Sequence, residues 1–413
     1  MPSHSYRVVI HASELLTGEG VRKKYGRRIQ DCDLGQIEDG ALVYSVRSIR
    51  GREIPSKILW VGKSSEIPKK YLKSKRTNLK LNRAVIPGLV DAHTHLVFDG
   101  NRSLEFARRC AGATYEQIAQ EGGGILHTVT ETRRASEDSL FQSASSRVRE
   151  AIRYGIRTLE VKSGYGLNHE TELKQLRVAR RLAKEFPEVF FQSTYLGAHA
   201  FPQDQSREAY LHEMIHQTLP EIAEKNLADA CDVFIDRGYF SLEEGRKILQ
   251  AAQRLKLKVK VHADELSDTS SAKLAVDLGA LSADHLLKIS ESGIEAIAAS
   301  DTTAVLLPGT AFYLKASHAP ARRLIEQGAR VAIASDFNPG TCMTLNLPAV
   351  MTIAALYLGL SRAELFAGVT YNACCALGVQ DHRGTLEQGK DAAFAVLPFK
   401  RFEELYYRFA WSP

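Results

Sequence analysis

The sequence predicts an α/β protein: a closed (β/α)8 TIM-like barrel carrying a small β-sandwich domain formed by both chain ends. Two observations carry this prediction. From Arg83 onward, short β-branched runs alternate eight times with polar or Gly-containing turns and with amphipathic stretches long enough for a βα crossover. Histidines and an aspartate fall at the C-terminal ends of those runs, the place where a parallel barrel gathers residues distant in sequence.

Taken in order, the chain begins with three short β-like runs, Tyr6–Ile10, Ala41–Val46 and Ile58–Val61, separated by basic and Gly-containing loops. They predict a small β unit. The basic stretches Arg22–Arg28 and Lys69–Arg83 lack aromatic interleaving and read as solvated faces rather than phosphate-binding tracks. The eight barrel strands end in RAVIPGLVDAHTH (83–95), RTLEVKSGYG (157–166), FFQSTYLGAHA (190–200), ACDVFIDRG (230–238), LKVKVHADE (257–265), ALSADHL (280–286), TTAVLLPGT (302–310) and RVAIASDFNPG (330–340). Helical segments lie between them at Glu170–Glu185, Arg207–Ala228, Leu242–Leu255, Ser270–Leu278 and Ala319–Gln327. The interval from His95 to Arg157 exceeds one loop and one helix, and predicts an elaborated loop with helices of its own. Helical segments then run to about Leu377. The stretch GTLEQGKDAAFAVLPF (384–399) reads as a turn and a strand that rejoins the N-terminal unit. The expected division is a small composite domain, 1–83 plus 384–413, and a barrel, 84–383.

Composition excludes several classes. Among 413 residues, 44% are hydrophobic and 25% charged, the balance of a globular protein with a large core. A net charge of +6 is too dilute for a dedicated nucleic-acid binder. No apolar run approaches the ~20 residues that cross a bilayer, and the N-terminus carries no basic and apolar secretion signal, so no membrane partner and a cytoplasmic location are expected. The six cysteines are scattered without a C-x-x-C pair and read as reduced thiols.

His93 and His95 close the first strand, His199 the third, His262 the fifth, His285 the sixth and Asp336 the eighth. Residues two apart on a strand share a face, with Cα atoms ~6.6 Å apart at ~3.3 Å rise per residue, so His93 and His95 can chelate one metal. Imidazoles with one carboxylate suit Zn2+ or Fe2+ rather than Ca2+ or Mg2+.

The stretches PGLVDAHTH, HTHLVFDGNRSLEFARRCAGATYEQIAQEGGGI (93–125), VKSGYGL (161–167), YLGAHAFP (195–202), DVFIDRGYFS (232–241), HADELS (262–267), SADHL (282–286), LLPGTAFYL (306–314) and SDFNPGTC (335–342) resemble the amidohydrolase superfamily and, within it, the imidazolonepropionase family. The resemblance runs from Pro87 to Gly378. It implies one divalent metal, Zn2+ or Fe2+/Fe3+, on His93, His95, His262 and Asp336, and hydrolysis of the cyclic amide 4-imidazolone-5-propanoate to N-formimidoyl-L-glutamate in histidine degradation. The nucleophile implied is a metal-bound hydroxide attacking the ring carbonyl. Catalytic roles fall to Glu265, His285 and Asp336. Substrate contacts fall to Arg102 and Tyr165 at the propanoate, to His199 and Glu265 at the ring, and to Asn338, Gly340 and Thr341 at the open-chain product, with Gly340 read as serving the backbone turn. Many superfamily members bridge two metals with a modified lysine ending strand four. Here that strand ends in Asp236-Arg237, which implies one metal; Lys162 reads as a salt-bridged rim residue. The resemblance also implies a small-molecule substrate and a homodimer, and the dilute charge implies no nucleic-acid partner.

Two other motifs compete. His212-Glu213-Met214-Ile215-His216 fits H-E-x-x-H, but its place in the third crossover puts it outside the barrel, as a solvated helix flank. Glu121-Gly122-Gly123-Gly124-Ile125 lacks the Lys-Ser/Thr of a phosphate loop and reads as part of the long first loop. A deaminase or another cyclic-amide hydrolase is the alternative enzyme. Arg102 and Tyr165 argue against it, because a nucleobase offers them no carboxylate.

Overall fold

The computed structural model describes residues 5–112 and 123–413. The N-terminal strands are β1 (Ser5–Ala12), β2 (Leu15–Leu16), β3 (Gln36–Ile37), β4 (Gly40–Ile49), β5 (Arg52–Lys63), β6 (Lys75–Asn78) and β7 (Val85–Pro87). Next come β8 (Leu89–Asp91), β9 (Ile156–Lys162), β10 (Phe190–Ala198), β11 (Ala230–Ile235), β12 (Lys258–Ala263), β13 (Ser282–His285), β14 (Thr303–Leu306) and β15 (Val331–Ile333), with β16 (Phe394–Val396) near the C-terminus. Strands β8 to β15 form one eight-stranded sheet in sequential order, every pair parallel.

Two four-stranded sheets stand beside the barrel, ordered β5-β4-β1-β6 and β16-β7-β2-β3. Val9, Leu42 and Ile58 of the first share an apolar cluster with Leu15 and Val85 of the second. The chain steps from this unit into the barrel at Gly88. A β-carbon there would sit 2.5 Å from Arg157 Cβ, so only glycine lets β8 approach β9 this closely.

The return helices start where the sequence supplies caps. Ser136, Asn168, Ser206 and Ser241 each accept a backbone N–H three residues on, and Glu244 completes a reciprocal capping box with Ser241. The stretch expected as one helix over Arg207–Ala228 runs Arg207–Glu213, makes a π turn at Met214–Thr218, and resumes at Leu219–Glu224. Pro220 has no N–H to donate to the His216 carbonyl, and the ladder is interrupted there. The long interval after His95 carries helices Ser103–Cys110, Ile125–Arg134 and Glu137–Arg153. Glu121 and Gly122 of the glycine-rich motif lie outside the described residues, and Gly124 is the N-cap of Ile125–Arg134. Among the described residues, no helix is long and apolar enough to cross a membrane.

The barrel closes between the extensions of its first and last strands. Thr94 and Phe337 form a parallel bridge, the Asp336 N–H donates to the His93 carbonyl at 3.0 Å, and the His95 N–H to the Phe337 carbonyl at 2.9 Å. Asp91 braces this seam by accepting the Ser335 N–H at 2.9 Å and the Ser335 hydroxyl at 2.6 Å. Burial pushes the Asp91 carboxyl up to about 7. Ser335→Ala leaves that buried group one donor short and is expected to lower the unfolding free energy by about 1–3 kcal/mol. Urea unfolding with an unchanged slope checks this; an unshifted midpoint contradicts it.

Candidate active site

At the C-terminal mouth of the barrel lies a cavity of about 240 Å³. Its lining includes His95, Arg102, Tyr165, His199, His262, Glu265, His285, Asp336, Asn338, Gly340 and Thr341. Of the candidate metal-ligating, catalytic and substrate-binding residues named from the sequence, His93 alone is absent from that wall, because it is wholly buried.

Three donor atoms converge at the seam. His93 Nε2 and His95 Nε2 are 3.3 Å apart, and Asp336 Oδ1 is 3.5 Å from each. Such spacing matches the ~3.4 Å edge of a tetrahedron with bonds of ~2.1 Å, the length of a Zn–N or Zn–O bond. Donor atoms of His93, His262 and His285 form a second cluster, all within 4.8 Å of one another. His262 Nε2 and both ring nitrogens of His285 are buried without a hydrogen-bond partner among the described residues. Burial holds His93, His95 and His285 well below the usual histidine range, so their rings stay neutral and keep a lone pair to donate. This donor set fits a divalent metal ion. Asp336 and His285 reach the site from left-handed backbone, φ 51° and 78°, which turns each side chain at the end of its strand.

Beneath the donors lies a charged layer that the sequence reading did not pick out. His93 Nδ1 is 2.6 Å from Asp284 Oδ2, and His262 Nδ1 is 2.9 Å from Asp232 Oδ2. Lys162 Nζ donates to Asp232 at 2.6 Å and stands 3.0 Å from Glu160; Lys260 Nζ donates to Glu160 at 2.9 Å. Lys162 was expected on the rim. It is instead fully buried in the barrel interior, because position 162 of β9 points inward with Glu160. Burial alone would lower its ammonium, and Asp232, Glu160 and Asp284 together raise it. A third group of potential ligands, His93, Glu160 and Asp284, already holds these two ammonium groups and has no place for a metal. The available signal was period two: Glu160 and Lys162 on β9, Lys260 and His262 on β12, charged residues on the inward face of otherwise apolar strands.

The rest of the wall is set by loops. Asn338 spends its side chain on its own loop, donating to the Asp336 carbonyl and accepting the Gly340 and Thr341 N–H groups. Gly340 does not adopt left-handed backbone; a β-carbon there would overlap Arg102 Nη1, so its smallness serves the arginine rather than the turn. Tyr165 rides on a loop whose Gly164, Gly166 and Leu167 N–H groups all bind the buried Glu172 carboxylate. His199 stacks on His95 with ring centroids 5.0 Å apart, and its Nδ1 is 3.0 Å from the Gly164 carbonyl. Glu265 Oε1 is 3.4 Å from His285 Nδ1. Thr310, also unforeseen, donates to Asp336 Oδ2 at 2.6 Å. Away from the cavity, His212 and His216 are exposed on an outer helix, and Glu213 accepts the His169 N–H.

The amidohydrolase family profile matches residues 84–405. An imidazolonepropionase of Porphyromonas gingivalis is 41% identical over 404 residues, 97% of this chain and 93% of that one. Imidazolonepropionases of Clostridium tetani, 40% identical over 97% of this chain and 93% of that one, and of Bdellovibrio bacteriovorus, 41% over 96% and 91%, are similarly close. Among solved structures, a triazine hydrolase variant superposes with a TM-score of 0.72 at 15% identity, covering 95% of this chain and 86% of that one. A zinc-bound adenosine deaminase of Xanthomonas campestris gives 0.67 at 16% identity, covering 96% and 85%; both share the fold.

Removing the carboxylate that orients a ligand histidine is expected to weaken metal binding. Asp284→Ala should lower divalent-metal affinity about 10–100-fold, measured by competition with a chelator, and an unchanged affinity would contradict the arrangement. By sequence, extent and fold, the chain belongs to the imidazolonepropionase family of the amidohydrolases.

Proposed function

We propose that the chain hydrolyses 4-imidazolone-5-propanoate to N-formimidoyl-L-glutamate in histidine degradation. Water adds to the ring carbonyl carbon, the adjacent C–N bond breaks, and the ring nitrogen leaves with a proton. The observation that carries the reading is the polarity of the cavity: neutral imidazoles and Asp336 at its buried end, the Arg102 guanidinium on a part-buried wall. A ring that carries a carboxylate on a short arm matches both.

His93, His95, His262 and Asp336 would hold one zinc or iron ion, which would supply Lewis acidity to the carbonyl and to water near neutral pH. Asp336 has one oxygen between the two histidines and the other fixed by Thr310. Asp336 is the group that takes a proton from water and returns it to the departing nitrogen. His285, in the cavity wall, donates to the oxygen that gathers charge. His199 donates through Nδ1 to the Gly164 carbonyl, which leaves Nε2 to accept a ring N–H. Burial, with Asp336 and Asp236 nearby, pushes the Glu265 carboxyl up, which favours the protonated form that donates to the ring. Arg102 and Tyr165 grip the propanoate, and Asn338 fixes Gly340 and Thr341 against it. The resemblance further supports a cytoplasmic homodimer, each chain made of a barrel entered at Gly88 and a composite domain in which β7 (Val85–Pro87) pairs with the C-terminal strand β16.

Loss of the ultraviolet absorbance of imidazolonepropanoate, with the product identified by mass, tests this. Metal-loaded protein should turn over, His95→Ala should not, and Arg102→Met should raise KM by about tenfold or more through loss of a charge-assisted bond. Release of ammonia from an aminopurine with no attack on the imidazolone would favour the deaminase alternative and overturn the proposal.

A further inference from the structure

Arg102 is the N-cap of the helix Ser103–Cys110, and Glu105 lies one turn further on. Glu105 accepts Arg102 Nε at 2.9 Å and Nη2 at 2.5 Å, and its Oε2 also accepts the Gly124 N–H at 2.9 Å. Although both residues lie at the start of a surface helix, only 8% of the Arg102 side chain and 9% of the Glu105 side chain is exposed. Burial would raise the Glu105 carboxyl, and Arg102 overrides that and holds it below its usual range.

The contact is side-on. It occupies the Nε/Nη2 edge of the guanidinium and leaves the Nη1/Nη2 edge, which lies over Gly340 in the cavity wall beside Tyr165 and Thr341. A planar guanidinium can meet two carboxylates at once, one on each edge. Fixing it beforehand removes the rotamer entropy that a free arginine would lose on binding. The two carboxylates would not go uncompensated, because Arg109 lines the same cavity and its positive charge acts on Glu105.

We propose that Glu105 is a positioning residue for the substrate carboxylate: it clamps Arg102 side-on so that the opposite edge meets the propanoate. Through Gly124 the same carboxylate ties that clamp to the start of the helix Ile125–Arg134, whose first residue, Ile125, lines the cavity. The inference rests on the proposed substrate, and its test separates the two.

Steady-state kinetics are measured on metal-loaded protein with imidazolonepropanoate and with its neutral propanamide analogue. Glu105→Gln should raise KM for the propanoate about tenfold, the scale of one hydrogen bond to a charged group, with kcat changed little. Its KM for the propanamide should not move, which also shows that the variant is folded. In an Arg102→Met background, Glu105→Gln should add nothing further, because the group it positions is gone. An unchanged KM in Glu105→Gln overturns the proposal. A lowered KM also overturns it, and means that Glu105 competes with the substrate for Arg102. If wild type handles propanoate and propanamide with equal KM, the carboxylate-gripping role of Arg102 fails, and the role of Glu105 falls with it.

Discussion

The ion pair between Lys162 and Asp232, buried in the middle of the barrel, is the contact on which the site depends. Charges in an apolar interior are tolerated only when paired, and removing one partner strands the other. Here Glu160, Asp232 and Asp284 face Lys162 and Lys260 across four strands, all five fully buried. Asp232 and Asp284 then each fix a histidine ring, His262 and His93. Three carboxylates share two ammonium groups directly beneath the histidine cluster. The layer thus aims the donor rings at the cavity.

The seam of the barrel and the site are one structure. The backbone bonds that join the first and last strands belong to His93, His95, Asp336 and Phe337, so closing the barrel brings the converging donor atoms together. Left-handed backbone at Asp336 is stabilised by that bonding and by Thr310 on its side chain. The loops above contribute fixed rather than adaptable walls: Glu172 holds the Tyr165 loop, Asn338 its own loop, and Glu105 the arginine.

Much of this was legible in the sequence because it is local. The alternation of β-branched runs with amphipathic stretches marks the barrel, and His93-x-His95, His262 and Asp336 at run ends mark its mouth. What stayed hidden depends on pairing between distant strands. Nothing near Lys162 announces Asp232, 70 residues away, and a lone lysine near a strand end reads as rim until its inward direction is known. Thr310 and Gly340 act through single contacts with Asp336 and Arg102, which spacing cannot reveal. Glu105 was closer to view, three residues beyond Arg102 in a helical stretch, but such pairs are usually solvated and of little consequence. Its burial is what gives it weight.

The proposed hydrolysis of imidazolonepropanoate requires one divalent ion held at the barrel seam. The most direct measurement titrates zinc or iron into metal-free protein while following initial turnover of 4-imidazolone-5-propanoate. Turnover should be absent at the start, rise linearly, and reach its plateau at one equivalent per chain. A plateau at two equivalents, or full turnover by protein shown to hold no metal, would contradict the account.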